Sequence, residues 1–377
     1  MDLKVIREEI DKIDNEMVRL FQERMKRTLE VAAFKIENGK AVYDKEREDA
    51  KLDAVADLVA DPFTKQAVRE LFFQIMTISR KKQYTLVDDQ TVDCGGFVPM
   101  EEMAAGMKKV ACFGERGSYT EEAMDTYFSN QVEAVYKSTF QGVIEALENG
   151  EVEYGVLPIE NSSTGSISDI YDLLVKSNTA IIGEQEVKVD QALIGMAGTD
   201  LSKVTKVYSH EQGILQCKTF LSRYPNMKCI TFDSTSASVK KIAEEKDATQ
   251  VAIGSVRAAK VYGLEVLQEK INGQSNNTTR FIVVTNKRVY NPKGKKVSLC
   301  FEVQHESGSL YQILSHFAYN HLNLTQIESR PIENKKWEYR FFVEFDGNIL
   351  DAGVQNALRG IRQEASAVYL FGCFAAK

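Results

Sequence analysis

Nothing in this sequence approaches the roughly 18 consecutive apolar residues of a membrane-spanning helix, so no membrane partner is expected. No secretory signal is expected either, because Met1 is followed by Asp2, Lys4, Arg7, Glu8 and Glu9 and by no apolar stretch. Six cysteines (Cys94, Cys112, Cys217, Cys229, Cys300 and Cys373) are scattered without a C-x-x-C pair. The four histidines (His210, His305, His316 and His321) lack metal-ligand spacing. Reduced thiols, a cytoplasmic setting and the absence of a metal or other cofactor are therefore the expectations. There is no basic excess either. A net charge of −7 and a pI near 5.4 argue against nucleic acid as the main partner, while leaving room for a local basic pocket that holds a small anion.

What is present is a globular composition, 44% hydrophobic and 27% charged, spread over 377 residues. That length is too great for one core and predicts two or three domains. Residues 2 to 84 carry the helical period, with Ile6, Ile10, Ile13, Met17, Leu20 and Phe21 on one stripe and no proline or glycine before Gly39. A helix of about 35 residues would be roughly 50 Å long. Two short neighbours cannot cover its apolar face, which predicts a second subunit. A second helix fits Asp44 to Ala60, and Asp61-Pro62 starts a third. Residues 85 to 107 lose all periodicity and read as a linker through "DDQTVDCGGFVP". From 108 to 286, strand-like runs ("KKVACFG", "YGVLPI", "TAIIGEQ", "KVYSH", "KCITF", "VAIGS", "RFIVV") alternate with helical patterns, as in a two-lobed α/β domain with its ligand chemistry at strand ends. After a second linker at 285–296, residues 297 to 377 read strand, helix, strand, strand, helix, strand, a ferredoxin-like α+β order. The expected division is thus 1–86 all-α, 108–286 α/β and 297–377 α+β.

The first helix places cations where apolar residues belong. Ile10, Met17, Arg24 and Val31 form one heptad row, Lys35 follows Val31 at i+4, and Arg7 sits on the border. In the third helix Ser79 and Gln83 continue the row of Phe72 and Ile75. Arg24 and Lys35 could snorkel or pair with Asp44 or Glu48. An anionic ligand would satisfy all of these inward polar groups at once. The segments "IREEIDKIDNEMVRLFQERMKRTLEVAAFK", "VYDKERE" and "ISRKKQ" closely resemble the all-helical chorismate mutases over residues 2 to 84. The resemblance implies that Arg7, Arg24 and Arg47 clamp the two carboxylates of chorismate, with Arg7 entering the partner subunit's site in a shared-helix dimer. It implies that Lys35 and Gln83 face the ether oxygen of the breaking bond. Asp44, Glu48 and Ser79 would complete the pocket, Glu48 holding the substrate hydroxyl.

The middle segment raises a different question in "INGQSNNTTRFIVV" (271–284), where Asn276, Asn277, Thr278, Thr279 and Arg280 lead straight into a buried strand. A polar loop would account for that run alone. Four other strand ends carry the same kind of residues: Ser118 and Thr120, Glu160 and Asn161, Ser209 and His210, and Ser234 to Ser236. Capping loops would account for each singly. Together, "PIENSSTGS", "SHEQ" and "TTRF" resemble prephenate dehydratases from about 109 to 285. By that resemblance Thr279 is the catalytic hydroxyl and Arg280 binds a prephenate carboxylate. Ser118, Thr120, Glu160, Asn161, Ser209, His210, Gln216 and Thr235 would line the cleft. Glu211-Gln212-Gly213 departs from the usual Pro-Gln-Ala of that family. Either Thr279 or a bound water could give the proton.

The tail, "HESGSLYQILSHFAYNHLNLTQIESRP", resembles the ACT domains fused to prephenate dehydratases. Gly308, Ser309, Leu310 and Tyr311, with Glu328, Ser329, Arg330 and Pro331, match the two segments that hold phenylalanine there. An interface module without a ligand is the alternative. The expected whole is a homo-oligomer, dimer or tetramer, that turns chorismate into prephenate and then phenylpyruvate under feedback by L-phenylalanine. The reading from another class is a two-lobed binding protein without catalysis.

Overall fold

The computed structural model describes residues 2–86, 94–100, 106–274 and 276–375. The chain divides into two compact units, one formed by Met1–Gly95 with Cys300–Tyr369 and the other by Gly96–Leu299 with Leu370–Lys377. The N-terminal helices and most of the C-terminal region therefore share a unit, where three successive bodies were expected.

In the first unit α1 (Leu3–Glu37) is followed by α2 (Lys45–Ala56) and α3 (Pro62–Tyr84). Asp2, Asp44 and Asp61 each cap the helix that follows, accepting from a backbone N–H of its first turn. Asp44 takes this role instead of beginning α2, and α2 ends at Ala56, short of the expected Ala60. Within the chain only Thr28 and Ala32 of α1 are buried. Ile10, Ile13, Met17, Val18 and Leu20 are about half exposed, which leaves a long apolar stripe open. By contrast most of the last two turns of α3 is buried, polar Ser79, Arg80, Lys81 and Gln83 included, with Lys82 exposed.

The second unit has two lobes. After the short β1 (Val98–Pro99), the first lobe runs β2 (Lys108–Phe113), α4 (Tyr119–Tyr127), β3 (Val132–Lys137), α5 (Phe140–Glu148), β4 (Tyr154–Asn161), β5 (Gly165–Ser166), α6 (Ser168–Lys176) and β6 (Ala180–Lys188). The second lobe runs β7 (Ala192–Gly195), β8 (Lys206–Ser209), α7 (Glu211–Gln216), α8 (Lys218–Leu221), β9 (Lys228–Thr231), α9 (Thr235–Glu245), β10 (Gln250–Gly254), α10 (Val256–Tyr262) and β11 (Glu265–Gln268). Its sheet order is β11-β7-β10-β8-β9. The chain then returns to the first lobe in β12 (Thr278–Thr285), which enters between β4 and β6 in the order β3-β2-β4-β12-β6; β13 (Val289–Tyr290) pairs with β1. The strands β3, β7 and β11 escaped the sequence reading. β7 and β11 have only four residues each, too short for an apolar run to be told from a turn or helix segment, and β3 at the sheet edge mixes Glu133 and Lys137 with its apolar side chains.

The two crossings between lobes lie side by side. Val189 N–H donates to Asn277 at 2.8 Å and Ile271 N–H to Gln191 at 2.9 Å. Each lobe packs its own apolar core, around Val156, Phe281 and Val283 in one and Leu193, Val207 and Val251 in the other. The C-terminal strands and helices are β14 (Lys296–Glu302), α11 (Ser309–Tyr319), β15 (Leu324–Pro331), β16 (Tyr339–Asp346), α12 (Ala352–Glu364) and β17 (Ala367–Phe374), with sheet order β15-β16-β14-β17. The expected linker at 85–107 lies partly outside the described residues.

Candidate active sites

The helices α1, α2 and α3 enclose a cavity of about 520 Å³. Arg24, Lys35, Asp44, Arg47, Glu48, Ser79 and Gln83 all line it, so residues from three helices meet in one place. Arg24 donates to Ser79 Oγ, which donates in turn to Ile75 O at 2.7 Å, and Lys35 Nζ reaches Val42 O at 2.5 Å. Arg7 does not line the cavity. It lies seventeen positions before Arg24, about 25 Å away along a straight helix. Arg27 and Lys51 line it although the sequence did not single them out, because lysines and arginines on an exposed helix surface are common.

The cavity is cationic and half-dry. Burial lowers the pKa of Arg24, with Glu48 opposing. Burial also lowers that of Lys35; Arg47 adds to the fall, while Asp44 and Glu48 resist it. Glu48 is pushed up by burial, against the attraction of Arg80. Gln83 is 7% exposed and its Oε1 has no hydrogen-bond partner among the described residues. A buried amide left so is costly unless a ligand completes it. Such a set suits a small dianion with a hydroxyl.

The second site is the cleft between the lobes, about 320 Å³ in volume. Ser118, Thr120, Asn161, His210, Gln216, Thr235 and Thr279 line it. Strand register brings its centre together, with Thr279 of β12 directly opposite Asn161 of β4. Asn161 Nδ2 donates to Thr279 Oγ1 at 2.9 Å and to Asn277 Oδ1 at 2.8 Å. Its Oδ1 is held by Ser163, whose Oγ donates at 2.6 Å and N–H at 3.0 Å. Gln216 Nε2 donates to Ser163 Oγ at 3.2 Å, and Gln191 Nε2 to Gln216 Oε1 at 3.4 Å, so the network spans both lobes. Ser118 caps α4 and Ser234 caps α9, and both caps line the cleft. First-turn amides at such ends attract an anion. Phe113 and Phe140, rings 4.4 Å apart, supply part of an apolar wall. Gln191 also lines the cleft, and its buried Oε1 has no hydrogen-bond partner among the described residues. It was missed in the sequence because it lies in a crossing between strands and belongs to no recognisable strand end.

Three expected cleft residues lie elsewhere. Arg280 follows Thr279 in a strand, so its side chain leaves by the opposite face. There it pairs with Glu184 at 3.0 Å and Glu160 at 3.2 Å, and Lys296 joins Glu184 at 2.7 Å. Neither Arg280 nor Glu160 lines the cleft. Ser209 is fully buried and its hydroxyl donates to Ile253 O at 3.0 Å, tying β8 to β10. His210 caps α7, its Nδ1 accepting from Gln212 N–H at 3.3 Å. The departure at Gly213 has a steric reason here, since a methyl group on it would stand 2.6 Å from Ser209 Oγ.

In the C-terminal region Gly308 takes a left-handed φ of +86° and precedes α11. Ser309 and Leu310 line a cavity of about 120 Å³ with Tyr339 and Phe341. Those two residues sit opposite Pro331 and Ser329 on the neighbouring strand. Gly308, Ser309 and Tyr311 line a larger cavity of about 830 Å³. Glu328, Ser329, Arg330 and Pro331 lie on β15 and line neither cavity.

Residues 6–84 match the family model of chorismate mutase type II and residues 110–289 that of prephenate dehydratase. The chain is 31% identical over 378 residues to the bifunctional chorismate mutase/prephenate dehydratase of Escherichia coli strain K12, covering 99% of this chain and 96% of that one. The chain belongs to the bifunctional chorismate mutase/prephenate dehydratase family. Like the other bifunctional chorismate mutase/prephenate dehydratases it serves phenylalanine biosynthesis, with the mutase in the matched helical region and the dehydratase in the two-lobed region. Among solved structures it resembles the prephenate dehydratase of Arthrobacter aurescens, determined in complex with L-Phe: TM-score 0.66, 27% identity, 71% of this chain and 89% of that one. A protein described as a novel type of quorum-quenching acylase has TM-score 0.65 and 25% identity over 72% of this chain and 98% of that one. One fold thus serves different chemistries, and the residues in the cleft must decide between them. Among the described residues no helix is long and apolar enough to cross a membrane.

Proposed function

We propose that the helical cavity is the mutase active site and the interlobe cleft the dehydratase active site. In the cavity Arg24 and Arg47 take the carboxylates of chorismate, and Arg7 of a second subunit completes the clamp in a shared-helix homodimer. The half-exposed apolar stripe of α1 supports that assembly. Lys35 and Gln83 face the ether oxygen, and Glu48 holds the substrate hydroxyl beside Asp44 and Ser79. A Claisen rearrangement breaks that C–O bond as a C–C bond forms and needs no nucleophile or base. Its barrier falls when the compact conformer is held and the charge growing on the ether oxygen meets fixed donors.

In the cleft, prephenate loses CO₂ and its ring hydroxyl together, and the ring becomes aromatic. The leaving hydroxyl needs a proton. The observation that carries the reading is that Thr279 Oγ1 accepts from Asn161, which leaves its own O–H free to donate into the cleft. The first-turn amides of α4 and α9 and the Gln216 and Gln191 amides replace Arg280 as the groups that receive prephenate. The C-terminal region acts as an ACT domain that senses L-phenylalanine through the Gly308–Tyr311 turn, with Glu328–Pro331 on the neighbouring strand. The Arthrobacter aurescens dehydratase solved with L-Phe supports this assignment. The three functional domains are 1–86, 108–286 and 297–377, and the enzyme works in the cytoplasm.

The test supplies the whole protein with chorismate and follows phenylpyruvate, with and without phenylalanine. Phenylpyruvate should form, and phenylalanine should suppress it. A protein that binds chorismate but never turns it over is only a binder, and turnover blind to phenylalanine leaves the C-terminal region an interface module.

A further inference from the structure

Arg80 has a guanidinium that nothing in the sequence singled out, and it is 1% exposed. One arm bonds Glu48, the α2 carboxylate that lines the mutase cavity. Nε bonds Glu364 Oε1 at 2.9 Å, and Nη2 donates to Thr77 Oγ1 at 3.2 Å. The Tyr43 ring lies 4.8 Å from the guanidinium carbon. Glu364 ends α12, 284 positions further along the chain, and its other oxygen lies 3.1 Å from His316 Nε2. Glu48, Arg80 and Glu364 also line the 830 Å³ cavity that Gly308 and Tyr311 share, so Glu48 stands in the wall between two cavities.

A guanidinium fork is planar, so a bond at Nε sets the direction of the other arms. Burial works to lower the pKa of Arg80, and Glu364 and Glu48 together hold it raised. Glu364 is pushed up by burial, but His316 and Arg80 beside it bring it below its ordinary value. The two carboxylates are thus coupled through one cation. One guanidinium therefore bonds both Glu48 of α2 and Glu364 of α12.

We propose that Arg80 is a positioning residue for the mutase, holding Glu48 in the wall of the cavity, and that Glu364 from the C-terminal region orients Arg80. The mutase site is then completed by a side chain from the far end of the chain. This rests on the reading of Glu48 as a chorismate ligand.

The experiment uses the full chain and measures mutase kinetics with chorismate and dehydratase kinetics with supplied prephenate. The variants are Glu48→Gln, Arg80→Met, Arg80→Lys, Glu364→Gln and the double Arg80→Met with Glu48→Gln. Glu48→Gln and Arg80→Met should each lower mutase kcat/KM by about 10²-fold, and the double by about the same, since residues acting as a unit are not additive. Arg80→Lys keeps the charge but cannot bridge both carboxylates, and should recover about tenfold of the loss. Glu364→Gln should cost the mutase about threefold to tenfold by loosening Arg80. Dehydratase activity should stay within about twofold throughout, because none of these residues lies in the cleft. A defective Glu48→Gln beside a normal Arg80→Met overturns this inference and leaves Glu48 in the site. A normal Glu48→Gln overturns the reading of Glu48 and this inference with it. Losses that multiply to about 10⁴ in the double show that Arg80 acts apart from Glu48 and also overturn it. Should Arg80→Met not fold, normal mutase kcat/KM in both Arg80→Lys and Glu364→Gln overturns the proposal.

Discussion

The two proposed sites would meet small carboxylates by opposite means. The mutase cavity sets Arg24, Arg27, Lys35, Arg47 and Lys51 against Asp44 and Glu48. The proposed dehydratase cleft is lined, among the described residues, by no lysine or arginine at all; its polar groups are hydroxyls, amides, His210, Asp233 and two capped helix ends, set among aromatic and aliphatic side chains. Full charges hold a dianion even where water reaches it. Partial charges do so only where water is kept out, because their worth rises steeply as the local dielectric falls. The difference fits the chemistry. A rearrangement needs charge stabilised on one oxygen, whereas the dehydration needs a hydroxyl held still in a dry place.

The largest expected effect lies on the charged side. Lys35→Ala removes a donor from the proposed ether oxygen and should lower mutase kcat by about 10² to 10³. Dehydratase turnover of supplied prephenate should not move, since Lys35 and Thr279 belong to different units. Parallel loss of both activities in a protein with a normal melting curve would abolish the distinction between the two sites.

Thr279→Val asks the corresponding question of the uncharged side. The substitution keeps the branched shape and removes the hydroxyl that Asn161 holds. Dehydratase kcat should fall by about 10² with a smaller change in KM, the pattern of a contact made mainly in the transition state. Normal turnover would make Thr279 a strand residue and move the proton donor to a water or another hydroxyl of the cleft.

Legibility in the sequence followed the same contrast. Cations on the apolar row of α1 break a 3.6 period, and a broken period is visible without a structure; Arg24 and Lys35 were found that way. The 35-residue length of α1 was readable for the same reason, because no glycine or proline interrupts it. Thr279, Asn161 and Ser118 look like ordinary loop and cap residues one at a time, and only the family resemblance gathered them. What stayed hidden depends on tertiary geometry. The cluster around Arg80 needs α12 to reach α3, and no local pattern announces a pairing across 284 positions. Gln191 lies in a crossing whose role appears only once both lobes are built. Arg280 was misplaced because a motif gives neighbours in sequence, whereas a strand sends neighbours to opposite faces.

Arg280 therefore gives the smallest expected effect on catalysis and the sharpest test of the contrast. Its guanidinium joins Glu160 and Glu184, and Glu184 is 3% exposed. Arg280→Ala strips a partner from a buried carboxylate, a change that costs about 3–5 kcal/mol when no other cation remains. Here Lys296 stays within 2.7 Å of Glu184, so about 1–2 kcal/mol is expected, read as a fall of a few degrees in melting temperature. Dehydratase KM should change by less than about threefold, because a loss of folding stability that leaves the site intact does not alter substrate binding. Arg280→Lys should restore much of the stability, since an ammonium can still answer Glu184. The opposite result, a KM raised about tenfold or more at an unchanged melting temperature, would mean that the guanidinium turns toward prephenate when substrate binds. The dehydratase would then hold its substrate with a full charge, as the mutase does, and the contrast between the two sites would be one of degree.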